Sequence, residues 1–191
     1  DSLKDAVIEK FKRDNNLSFK REEIIISCGG KHALFNLFES IFQEGEEVII
    51  PVPYWVSYPP MIELTGAKPV LVETYEEEDY QITPTMLKKY INQNTKGVIL
   101  NYPSNPVGSI FYRENLEAIG KLAVEHNLYI ISDEIYEKLT YDDYKHVSIA
   151  SLDPAFKERT IICHGVSKTY AMTGWRIGFA AGPADVVKAM G

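Results

Sequence analysis

A chain of 191 residues, 45% hydrophobic and 25% charged, is long enough for one globular domain with a sizeable core. Its 20 basic and 27 acidic residues leave a net charge of −7 with no long basic stripe, which argues against a nucleic-acid partner. No apolar run reaches transmembrane length and no signal peptide opens the chain, so no membrane partner and a cytoplasmic location are expected.

Cys28 and Cys163 are the only cysteines, and both are expected as reduced, buried thiols rather than a disulfide or a metal site. The chain has no initiator methionine and stops at Val186–Gly191 within a helical pattern, as expected of a domain cut from a longer protein.

In chain order, Ser2–Asp14 reads as a helix with Leu3, Ala6, Val7 and Phe11 on one face. A strand over Ile24–Cys28 leads through Gly29-Gly30 into a helix over Lys31–Phe42 that carries Ala33, Leu34, Leu37, Phe38 and Ile41. After a strand over Val48–Pro51, Pro59-Pro60 marks where a helix starts or kinks. A strand over Pro69–Glu73 precedes the acidic run Glu76–Asp79, read as a solvated loop. Thr83-Pro84 is a helix cap with proline at the first helical position, leading Met86, Leu87 and Ile91. A strand over Gly97–Asn101 is followed by a helix over Arg113–Glu125, and strands follow over Tyr129–Asp133, Thr160–His164 and Ile177–Ala181. Most strands are apolar throughout, the mark of cover on both faces. The expectation is an α/β fold, a three-layer α/β/α domain with a mostly parallel seven-stranded sheet and ligands beyond the carboxyl ends of the strands.

Five motifs fall at those ends. Gly29-Gly30-Lys31 opens a helix whose free amides favour an anion, although such turns are also common as plain strand-to-helix connections. Pro53-Tyr54-Trp55 offers an aromatic to stack on a flat ring, or simply a packed tryptophan. Asn101–Gly108, with two prolines and a glycine, forms a rigid turn that can aim Asn105 at a ligand oxygen. Asp133 follows Ile130-Ile131, where a lone charge is costly. It either meets a cation such as a pyridinium nitrogen or caps the next helix, and Tyr136, three residues on, either reaches the same ring or packs in the core. Lys168 sits on a short polar loop between two apolar strands, with Arg176 eight residues later. A lysine that forms a Schiff base and an arginine that holds a phosphate together suggest a pyridoxal-phosphate site.

Jointly these motifs resemble the fold-type I aminotransferases of class I/II, closest to the prokaryotic-type aspartate aminotransferases. The matching stretches are Gly29–Lys31, Pro53–Tyr58, Asn101–Gly108, Ser132–Glu137 and Ser167–Gly178, spread over nearly the whole chain. The resemblance implies that residues 1–191 are the pyridoxal-phosphate-binding large domain of a homodimeric enzyme acting on amino acids and 2-oxo acids. It implies that Lys168 anchors the cofactor covalently and moves the substrate's α-proton. Asp133 would pair with the ring nitrogen, Tyr136 and Asn105 would bond the phenolic oxygen, and Trp55 would stack on the ring. Gly30, Lys31 and Arg176 would surround the phosphate. Lys31, Trp55 and Asn105 would also contact substrate, and no metal is implied.

Three positions depart from the family. Gly165 replaces a small hydroxyl residue, Val107 a threonine, and His164 an asparagine. The implied reaction is aspartate with 2-oxoglutarate, giving oxaloacetate and glutamate. The family's substrate-carboxylate arginine would lie beyond Gly191, and its borrowed tyrosine in a segment before Asp1. The alternatives are an aminotransferase for aromatic acids, alanine or prephenate, or the non-catalytic effector domain of a transcription regulator. A further alternative is a fragment that binds cofactor without turnover.

Overall fold

A computed structural model describes residues 2–191, and the seven expected strands pair into one sheet. They are β1 (Ile24–Ser27), β2 (Glu47–Val52), β3 (Lys68–Glu73), β4 (Thr95–Asn101), β5 (Tyr129–Asp133), β6 (Thr160–Gly165) and β7 (Gly178–Ala181). The spatial order is β1-β7-β6-β5-β4-β2-β3. β3, β2, β4, β5 and β6 pair in parallel. β7 runs antiparallel to both β6 and β1, so it alone is reversed and the sheet is mostly parallel, as expected.

Seven helices flank the sheet: α1 (Ser2–Asn15), α2 (Gly30–Ile41), α3 (Tyr58–Leu64), α4 (Pro84–Tyr90), α5 (Arg113–Glu125), α6 (Pro154–Lys157) and α7 (Ala184–Ala189). Alternation along each strand sends neighbouring side chains to opposite faces. Ile99, Ile131 and Ile161 meet α2, α3 and α7 on one face. Val98, Leu100 and Ile130 meet α4, α5 and α6 on the other, while Ile162 and Phe179 there meet α1. The central strands are apolar throughout because both faces are covered. β3, at the sheet's outer edge, is partly exposed along its length. Fully buried anchors such as Leu37 and Phe38 each contribute about 1.5–3 kcal/mol.

The expected helix signals have their physical counterparts. The Thr83 side chain accepts the Met86 amide at 3.2 Å. α3 begins at Tyr58, which places Pro59 and Pro60 in the first turn, where their missing N–H groups cost no helical bond. The Glu76–Glu78 run forms one short, largely exposed turn. One expectation fails: Cys163 is buried, but Cys28 is exposed. β1 ends at Ser27, so Cys28 lies in the bend beyond the sheet, where its N–H donates to His32 Nδ1 at 3.1 Å. Among the described residues, no helix is long and apolar enough to cross a membrane.

A close approach of backbones joins β7 to the turn before α2. A Cβ on Gly178 would lie 2.2 Å from the Gly29 carbonyl carbon and 2.4 Å from the Gly30 nitrogen. Backbone atoms cannot yield as a flexible side chain does. Gly178→Ala should therefore cost at least about 2 kcal/mol of stability in denaturant unfolding. A loss below about 0.5 kcal/mol, within ordinary surface-mutation scatter, would show that the turn moves freely.

Candidate active site

Strand register sets the geometry. Ser27, Gly178 and Gly165 are aligned across β1, β7 and β6, and Asn101, Asp133 and Cys163 across β4, β5 and β6. Both rows lie at the carboxyl ends of the parallel strands, the edge where α/β sheets bind ligands. Because β7 is reversed, its start lies at the same edge, which brings Arg176 there. A cavity of about 240 Å³ opens over these rows. All eight residues singled out in the sequence line it: Gly30, Lys31, Trp55, Asn105, Asp133, Tyr136, Lys168 and Arg176.

The floor on one side is the start of α2. Gly29 has φ +86°, a conformation that glycine adopts without strain. A Cβ there would lie 2.1 Å from Arg176 Nη2, so the guanidinium rests directly on the Gly29 backbone. Arg176 Nη1 also donates to the Thr173 carbonyl at 2.9 Å. α2 starts without a side-chain cap, leaving its first amides and the positive end of its dipole facing the cavity side. Lys31, Lys168 and Arg176 add three cations to a cavity with one carboxylate, Asp133, which suits an anionic ligand.

The opposite wall is rigid. The Asn105 amide donates to Asn101 Oδ1 at 2.7 Å, and Asn101 Nδ2 donates to the Asp133 carbonyl at 3.0 Å. The peptide bonds before Pro103 and Pro106 are cis. Half-buried Trp55 meets the Tyr58 ring edge-on, with centroids 5.3 Å apart, and Lys31 Nζ lies 4.9 Å from the Trp55 ring. Lys168 Nζ lies 5.7 Å from the Tyr136 ring centroid.

Asp133 is the buried charge of the site, 6% exposed. Its Oδ2 accepts the Tyr58 hydroxyl at 2.6 Å and its Oδ1 the Ile135 amide at 3.3 Å. Burial lifts its carboxyl above the usual range, and the Tyr58 and Ile135 bonds offset only part of that. Burial first, then the Asp133 charge, push the Tyr58 phenol well above its ordinary range, so it stays a hydrogen donor. The Cys163 thiol below is raised by the same two causes, in the same order.

The sequence motif Pro53–Tyr58 implies no role for Tyr58, yet its hydroxyl is the donor to Asp133. The available signal was its spacing: three residues after Trp55, it faces the same site from the first turn of α3. Ser167, buried beside Lys168, was missed likewise. Gly165 has a steric reason, since a Cβ there would lie 2.9 Å from the Ile177 carbonyl and 3.2 Å from Ile135. Val107 lies exposed outside the cavity.

A family model described as aminotransferase class I and II matches residues 1–191. An aspartate aminotransferase of Bacillus sp. (strain YM-2) is 54% identical over 189 residues, 99% of this chain and 48% of that protein. A solved aspartate aminotransferase from Thermus thermophilus with maleate superposes with a TM-score of 0.94 at 47% identity, covering 98% of this chain and 48% of the other. An aromatic aminotransferase from Pyrococcus horikoshii OT3 gives 0.95 at 44%, covering 98% and 50%. The chain thus spans about half the length of the relatives it matches.

Two substitutions test the buried carboxylate. Tyr58→Phe should cost about 1.5–3 kcal/mol, the usual worth of a hydrogen bond to a charged group, in denaturant unfolding. A raised folded pKa means that Asp133 favours folding only at low pH, and that this contribution is lost as pH rises through the raised value. Near neutral pH the ionised group opposes folding. Ligand-free Asp133→Asn, which keeps an acceptor for Tyr58, should unfold at the same or a higher temperature at pH 7, and a clear drop would contradict the assignment.

Proposed function

We propose that this chain, which belongs to the aminotransferase class I and II family, is the pyridoxal-phosphate-binding large domain of an aminotransferase that passes an amino group between aspartate and 2-oxoglutarate. The observation that carries the reading is the convergence of five separated motifs on one cavity. The donor set fits the cofactor group by group. Arg176 and the uncapped start of α2 suit a phosphate, and Trp55 offers an aromatic face. Asp133 matches a cationic ring nitrogen, while Tyr136 and Asn105 offer partners for a phenolic oxygen.

When bound, pyridoxal phosphate supplies an aldehyde and a protonated ring that accepts the electron pair released at a substrate's α-carbon. Lys168 is the amine placed to hold that aldehyde covalently. The Lys168 amine would also serve as the base that carries the α-proton. Asp133 would hold the ring proton, because a buried carboxylate favours an adjacent cation. Tyr58 keeps that carboxylate oriented. Lys31, on the first turn of α2, is the group that we assign to a substrate's second carboxylate. The intact protein is read as a cytoplasmic homodimer, with unpaired thiols at Cys28 and Cys163 consistent with a reducing compartment.

An aromatic donor is the second reading, favoured by the likeness to the Pyrococcus horikoshii enzyme. Incubation with pyridoxal phosphate, borohydride reduction and peptide mapping should place the adduct on Lys168, and Lys168→Ala should abolish it. An adduct elsewhere overturns the central assignment. Arg176→Ala should weaken cofactor affinity about ten- to hundredfold, the worth of one or two charge-assisted hydrogen bonds. The full-length protein should prefer aspartate to phenylalanine, tyrosine or alanine as donor. A monocarboxylic preference removes the role given to Lys31.

A further inference from the structure

A second cavity, of about 150 Å³, lies on the other side of the Lys168 loop, between that loop and α1. Its wall includes Lys10, Glu137, His164 and Thr169. Glu137 is 3% exposed and His164 is 2% exposed. Three polar atoms here are buried without a protein hydrogen-bond partner: Glu137 Oε1, His164 Nε2 and Thr169 Oγ1. Buried polar atoms are rarely left so, and three around one cavity mark a built polar centre.

The contacts are specific. Glu137 Oε2 receives Lys10 Nζ at 2.6 Å and Asn15 Nδ2 at 3.1 Å, both from α1, with His164 Nε2 at 3.6 Å, while Lys138 Nζ lies 3.7 Å from Oε1, within ion-pair range but too far for a hydrogen bond. His164 Nδ1 lies 2.7 Å from the Gly165 amide nitrogen and 3.1 Å from the Gly165 carbonyl oxygen; with the shorter contact as the hydrogen bond, Nδ1 accepts and a neutral ring carries its proton on Nε2, the nitrogen nearer Glu137. The imidazole stacks on Phe179 with only 5° between planes and centroids 5.1 Å apart, which restricts its rotation. Burial raises the Glu137 carboxyl, but His164 and Lys10 outweigh it and hold it far below the usual range. Glu137 directly follows Tyr136, and His164 precedes Lys168 by one short turn of chain.

We propose that Glu137 and His164 are a positioning pair, bridged in the second cavity by ordered water, that sets the Lys168 loop against the turn carrying Asp133 and Tyr136. The 3.6 Å separation is too long for a direct hydrogen bond, and the cavity has room for several water molecules at about 30 Å³ each. Water supplies both the acceptor that His164 Nε2 needs and the donor that Glu137 Oε1 needs, and Thr169 ties it to the residue next to Lys168. The functional meaning of the pair rests on Lys168 being the cofactor anchor; its existence does not.

The test uses the full-length protein with His164→Phe, His164→Asn and Glu137→Gln, read by amide hydrogen exchange without cofactor and by cofactor affinity. His164→Phe keeps the stacked ring and loses both nitrogens. Exchange at Gly165–Ala171 should quicken at least tenfold while β4 amides stay unchanged, and the cofactor Kd should rise at least fivefold. His164→Asn, which retains a donor, should recover much of both. Unchanged loop exchange, or a uniform increase across the sheet, overturns the proposal. Should His164→Phe not fold, Glu137→Gln decides it by the same loop-against-β4 comparison. Failure of the wild-type protein to trap cofactor at Lys168 would instead overturn the proposed function and leave the exchange result standing.

Discussion

Between β7 and the turn that opens α2 there is no room for a side chain, and the rest of the site depends on that contact. Gly178 lets the strand lie against Gly29 and Gly30, and Gly29 lets the Arg176 guanidinium rest on bare backbone. Three parts of the chain remote in sequence are thereby brought to one sheet edge: the free amides of α2, the start of β7 and the loop after β6. Larger residues would separate them by the width of a methyl group and pull the free amides of α2 away from Arg176.

Two of the three buried carboxylates at the end of β5, Asp133 and Glu137, show how surroundings set acidity. Asp133 and Glu137 lie one turn apart and both are almost fully enclosed. Asp133 meets a phenol and an amide but no paired cation, so burial dominates and its carboxyl is raised. Glu137 meets the Lys10 ammonium and the His164 ring, which together outweigh burial, so it is lowered. The first is an unbalanced charge facing a cavity, and a cationic ring nitrogen beside it would relieve the imbalance. The second is balanced within the protein and suits a fixed support. Perturbed groups of the first kind gather at functional sites, whereas the second kind commonly serves structure.

Much of this was legible in the residues. Long apolar runs separated by amphipathic helical patterns marked the covered sheet, and the eight site residues were named from five short motifs. What escaped was whatever depends on pairing between distant segments. The reversed direction of β7 leaves no trace in the composition of Gly178–Ala181, because an apolar strand reads alike in either direction. The exposure of Cys28 turned on β1 ending one residue early. The partnership of Tyr58 with Asp133, and that of His164 with Glu137, join residues whose meeting requires the sheet order β6-β5-β4-β2 to be in place. A polar side chain in a strand declares that it needs a partner, but not which one.

The row of strand ends has a consequence in mass action. The cavity draws on α2, the turn before α3, and the ends of β4, β5 and β6, so no part of the chain alone carries the complete set of contacts. A ligand that needs all of them binds only the folded protein, which makes occupancy and folding a single coupled equilibrium. At a free ligand concentration a hundred times its Kd, such coupling adds about 2.7 kcal/mol to the native state, on the order of a fifth to a half of a typical domain's net stability. A ligand at this edge would thus offset the charge left unbalanced at Asp133 and the glycines that weaken the local backbone.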